Sequence, residues 1–152
     1  MHRQSRVYIK TALAYLLVSA LLGGALLLNQ AWALDVRVWA LLPVYYHTLA
    51  VGWLTQLIAG VALWMFPPLS RAQPRGDPRL GWLAYAALNG GLLLRVVAEP
   101  WHAWQPKSLA GYVLAVSALL QVAGIWVLVS LLWPRVRGRA QSRERSGAQE
   151  AG

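Results

Sequence analysis

The chain has 152 residues, of which 58% are hydrophobic and only 12% charged, with a mean hydropathy of +0.45. A soluble domain carries about 25% charged residues, so this composition excludes an ordinary soluble fold and points to a membrane protein. Cysteine is absent, which rules out disulfides, thiolate metal centres and cysteine nucleophiles.

Four apolar runs follow one another at residues 11–28, 44–66, 80–98 and 110–133. Each is about 18–24 residues long, enough to cross a bilayer. No period-2 alternation recurs, so a membrane β-barrel is not expected. The fold class read from this pattern is all-α, an antiparallel bundle of four membrane helices.

The formal net charge of +9 reports topology rather than nucleic acid as a partner. Arg3, Arg6 and Lys10 precede the first run, Arg71, Arg75 and Arg79 lie between the second and third, and Arg135, Arg137, Arg139, Arg143 and Arg145 follow the fourth. Eleven of the 14 basic residues thus fall on one side, leaving Arg37, Arg95 and Lys107 towards the other. Basic residues accumulate on the cytoplasmic side, which predicts cytoplasmic termini in a multi-pass protein of the plasma (inner) membrane.

The first run begins after Lys10 and precedes Ala31-Trp32-Ala33, a small-x-small pattern like a signal-peptide cleavage site. The run is longer than the roughly 7–15 apolar residues of a signal peptide, and the reading adopted is a retained span. Ser19 and Gly23 sit four apart in it, a small-residue face for close helix packing. Residues 29–43 read as an interfacial loop. The second span stops at Pro67-Pro68, which cannot continue a helix, and residues 69–79 read as a polar, basic turn. The third span ends at Glu99-Pro100, residues 101–109 form a short loop, and the fourth ends at Trp133-Pro134. The tail 135–152 has almost no apolar content and is expected to be disordered.

Of nine tryptophans, Trp32, Trp39, Trp64, Trp82, Trp101, Trp104 and Trp133 fall near span ends, as aromatic belts do. Trp53 and Trp126 lie deeper and are expected to pack in the core.

Two sets of polar residues sit where lipid does not tolerate them unpartnered. Near the non-cytoplasmic ends, His47 lies about one turn inside the second span, Arg95 and Glu99 lie four apart in the third, and His102 follows in the next loop. Structurally these are an i,i+4 ion pair and interfacial histidines; functionally they form a cluster suited to a cofactor or quinone. Gln56, Asn89 and Gln121 lie near the midplane, and Gly52, Gln56 and Gly60 make a small–polar–small stripe. These amides are expected to hydrogen-bond between helices or to water. No HExxH, nucleophile elbow, phosphate loop or paired carboxylates occur.

The second span carries His47, then Gly52-Trp53, Gln56-Leu57-Ile58, Gly60-Val61-Ala62 and Trp64-Met65-Phe66-Pro67. The third carries Asn89-Gly90-Gly91-Leu92-Leu93-Leu94-Arg95 and Glu99-Pro100. Together they resemble small four-helix membrane proteins similar to subunit I of the haem-copper oxidases, the cytochrome oxidase and nitric oxide reductase family. The second span resembles that family's histidine-bearing helix. The resemblance covers two spans closely and the others by hydropathy alone. It implies haem b, with His47 as axial ligand to iron and Arg95 paired with a propionate. The iron would be five-coordinate, or take His102, or take His47 of a second protomer.

The chain departs from the family in having three histidines, too few for a binuclear oxygen-reducing centre, so a complete terminal oxidase is not expected. The function implied is electron transfer, or sensing or handling of a diatomic gas, with the lipid bilayer and a homodimer or respiratory-complex partner. The alternative is a cofactor-free structural or assembly subunit of a membrane complex.

Overall fold

The computed structural model describes residues 2–67, 77–106 and 109–150, with side chains as far as 136. Among these residues all regular structure is helical and no strand forms. Four helices are long and apolar enough to cross a membrane. They are designated α1 (Arg3–Trp32), α2 (Val36–Met65), α3 (Pro78–Trp104) and α4 (Ala110–Glu150).

Local chemistry sets the ends of these helices. His2 Nδ1 accepts from the backbone N–H of Gln4 at the start of α1. Ala33 ends that helix in the left-handed region, φ 49°, with its N–H on the Asn29 carbonyl. Ala33 takes the position usually filled by glycine in such caps. Asp35 and Asp77 cap α2 and α3 by accepting from Arg37 N and Arg79 N, each at 2.8 Å. Carboxylates at these positions satisfy N–H groups that have no partner within the helix.

All four helices overrun the hydropathy limits. The loop expected over 29–43 shrinks to a few residues, because a 3-10 turn at Val36–Leu41 leads directly into helix at Leu42–His47. Pro43 lies in the first turn of that helix, where its missing N–H costs nothing. Likewise α3 continues through Pro100 to Trp104, so His102 stands on a helix and not in a loop. Pro134 does not end α4, which reaches Glu150. Composition alone places disorder from Arg135 onward, but that arginine is only 2% exposed. Most of the 69–79 turn, and Lys107, lie outside the described residues.

Helices α2 and α3 form the middle of the structure. Helix α1 packs mainly on α2 and α4 mainly on α3, and among the described residues no Cα of α1 comes within 8 Å of one in α4. Small residues allow the close approaches. A Cβ on Gly91 of α3 would lie 2.8 Å from the Ser117 carbonyl of α4. Ser19 is fully buried and the Tyr45 ring lies against Gly23, as their four-residue spacing leads one to expect.

The buried apolar cluster is formed by Tyr8, Ala59, Leu63, Ala84, Leu128 and Leu131, drawn from all four helices. Facing outward instead are Leu17, Leu21, Leu119 and many other large apolar side chains, as lipid contact requires. Trp126 belongs with them: at 75% exposed it is not the core residue its depth implies, whereas Trp53 is half-buried.

Candidate functional site

His47 is the last residue of an α-helical piece of α2, and the eight residues after it, Thr48–Thr55, form a π-helix. Its half-buried imidazole is tied at Nδ1 to the Pro43 carbonyl four residues back, at 2.8 Å. A carbonyl can only accept, so Nδ1 carries a proton, and in the neutral ring it is Nε2 that has the lone pair. Metal-ligating histidines are commonly fixed in this way, with one ring N–H on a carbonyl and the other nitrogen on the metal.

Arg95 and Glu99 of α3 form an i,i+4 ion pair, Nε to Oε1, at 2.8 Å, with side chains 19% and 15% exposed. The pair engages Nε alone. The two terminal nitrogens, which form the fork that recognises carboxylates, make no hydrogen bond among the described residues. Beyond Pro100, His102 packs beside the start of α4: a Cβ on Gly111 would lie 3.9 Å from its Nδ1. That Nδ1 atom is buried and has no hydrogen-bond partner among the described residues, unusual for a group whose desolvation costs about 1–3 kcal/mol.

The structure thus pairs Arg95 with Glu99, as their four-residue spacing leads one to expect. It joins neither residue to His47 or His102 by any hydrogen bond or ion pair among the described residues. Nor do three or more histidine and acidic side chains gather there into a metal-binding group.

Two of the three amides, Gln56 and Asn89, join helices directly. Gln56, fully buried, and Asn89 exchange two hydrogen bonds, 3.2 and 3.1 Å long, and Asn89 also donates to the Tyr85 carbonyl at 2.8 Å. Gln121 takes a different route, donating to Ser117 Oγ at 3.1 Å, while Ser117 donates to the Gly91 carbonyl of α3 at 2.7 Å.

Compared with models of protein families, with curated proteins and with solved structures, the chain finds no significant match in any of the three.

Two features escape a reading of the sequence. The π-helix follows no composition rule, although the buried residues spaced in fours are its trace. Arg135 reads as one more basic residue after a span. In the structure it reaches from α4 to the end of α2, donating to the carbonyls of Phe66 at 2.7 Å and Pro67 at 3.2 Å, with its guanidinium 6.0 Å from the Phe66 ring centre.

Proposed function

We propose that the chain is an antiparallel four-helix protein of the plasma membrane, with both termini cytoplasmic, that holds haem b through His47. Its role is electron transfer, or the sensing or handling of a diatomic gas, within a homodimer or a larger respiratory assembly. The topology rests on the arginine asymmetry. Reporters placed after Trp133 and within residues 69–79 are expected to behave as cytoplasmic, and one at Leu34 as external; the reverse pattern would refute it.

The haem reading is carried by the bond from His47 Nδ1 to the Pro43 carbonyl, which leaves Nε2 as the ring's free lone pair on a helix whose sequence resembles a haem-bearing one. Donor chemistry fits the group: imidazole suits haem iron, and Arg95 keeps its terminal nitrogens for a propionate while Glu99 steadies Nε. Bound haem would supply the one-electron and gas chemistry; the protein would orient the ring and set the polarity around it.

A specific observation favours the cofactor-free alternative: Arg95–Glu99 and Gln56–Asn89 are already paired within the chain, as in a scaffold held together by polar contacts. The two readings separate in a spectrum. Protein expressed with ample haem is expected to show a Soret band, and His47→Ala to lose it. Full loading of His47→Ala by pyridine haemochrome assay would eliminate the ligand, and a haem-free wild type would leave the scaffold reading.

A further inference from the structure

The π-helix at Thr48–Thr55 changes where His47 points. Bonds from i to i+5 widen each turn, and such segments recur at functional sites. Through this region the side chains line up every four residues. Val44, Thr48, Gly52, Gln56 and Gly60 are buried, and Tyr46, Ala50, Leu54 and Ile58 are exposed. An α-helix turns about 100° per residue, so a four-residue line drifts about 40° per step and would swing about 160° around the helix between 44 and 60. The wide turns absorb that drift and keep one line packed against the protein.

His47 lies nine residues before Gln56. In an uninterrupted α-helix that is about 180° of rotation, which puts the imidazole on the face of Leu54 and Ile58, 47% and 59% exposed. At the observed four residues per turn it stands only about 90° from the buried line. Tyr45 occupies the opposite flank, with its ring against Gly23 of α1. The flank left to His47 is the one turned towards α3, which carries Arg95, Glu99 and His102.

We propose that the π-helical segment is the positioning element of His47, turning its imidazole from the lipid face towards α3, with Gly52, Thr48 and Thr55 holding the wide turn. A Cβ on Gly52 would lie 2.6 Å from the Tyr15 ring and 3.0 Å from Leu92, so only glycine lets the widened helix fit between α1 and α3. Thr55 Oγ1 donates to the Ala50 carbonyl, five residues back, at 2.9 Å. Thr48 Oγ1 donates to the Val44 and Tyr45 carbonyls, both at 3.0 Å. These hydroxyls bond carbonyls on both sides of the change in register.

The functional half of this proposal rests on the haem reading; the orientation does not. The chain lacks cysteine, so single cysteines can be placed at positions 45, 46, 47, 50, 51, 54 and 58 of the full chain, spin-labelled, and reconstituted in phosphatidylcholine–phosphatidylglycerol vesicles. Oxygen accessibility is expected to peak at 46, 50, 54 and 58 and to be low at 47 and 51. Peaks at 47 and 51, in phase with 54 and 58, would overturn the orientation. Inserting one alanine after Thr48 adds about 100° between position 47 and Gln56, and is expected to turn position 47 to the lipid and, with His47 in place, to abolish the Soret band. Haem retained in an insertion variant whose position 47 has rotated would overturn the positioning role. A wild type without haem would remove the ligand reading while the accessibility pattern still decides the orientation.

Discussion

The two ends of the helices treat their polar groups in opposite ways. At the Arg135 end several polar side chains reach across to another helix. Gln4 donates to the Pro78 carbonyl at 3.2 Å, Tyr8 to the Gly81 carbonyl at 2.9 Å, Thr11 and Tyr85 share a 2.7 Å hydroxyl contact, and Arg135 holds the carbonyls at the end of α2. At the His47 end most bonds stay within one helix: His47 to Pro43, Arg95 to Glu99, Trp101 to Gln105, with Asn29 Oδ1 of α1 accepting from the Asp35 N–H at the start of α2. His102 Nδ1 has no partner among the described residues. Bonds between helices fix the helices relative to one another, whereas bonds within a helix only fix a side chain's direction. One end is therefore fastened between helices, and the other holds its side chains in set directions.

The largest effect on stability is expected where the fastening carries charge. Hydrogen bonds to charged groups contribute about 1.5–3 kcal/mol each, and removing Arg135 also strips partners from helix-end carbonyls that a cation stabilises. Arg135→Met should lower unfolding stability by about 2–4 kcal/mol, measured by denaturant or detergent titration. His47→Ala should cost far less in the same assay, and equal losses at both ends would erase the contrast.

Between the ends, the Gln56–Asn89 pair gives an intermediate case. Gln56→Leu should cost about 0.6–2 kcal/mol, the range for interhelical polar contacts in membranes. Part of that loss comes from stranding the Asn89 amide in a dry site. Adding Asn89→Leu should therefore recover stability relative to the single variant. A double variant worse than the single would mean that the pair is required for more than holding α2 to α3.

Four apolar runs and their basic flanks are legible because lipid imposes one uniform requirement on every exposed side chain. Helix ends were misjudged at 29–43, at Pro100 and at Pro134 because hydropathy measures the lipid-covered part of a helix, not the helix. The amides Gln56 and Asn89 could be read as partners, since a buried amide at matching depth has few other choices. Arg135 could not, because a cation just past a span has the same sequence signature whether it faces water or caps a neighbouring helix. The wide turn after His47 was hidden for a related reason: its only trace is a four-residue spacing that small residues on an α-helix also produce.

The smallest expected stability change is also the most informative about the open end. The Arg95–Glu99 pair lies within one helix and holds no second helix, so Arg95→Leu should cost less stability than Gln56→Leu. If the pair were only structural, nothing else would change. If Arg95 is held by Glu99 so that its terminal nitrogens can meet a carboxylate, Arg95→Leu should weaken haem binding without removing the iron ligand. Glu99→Gln should weaken it less, since it keeps the guanidinium and loses only its tether. A haem titration of the two variants would thus rank Arg95→Leu below Glu99→Gln, with His47→Ala below both. Equal affinities for wild type and Arg95→Leu would leave the ion pair as a local clasp on α3 and confine the ligand role to His47.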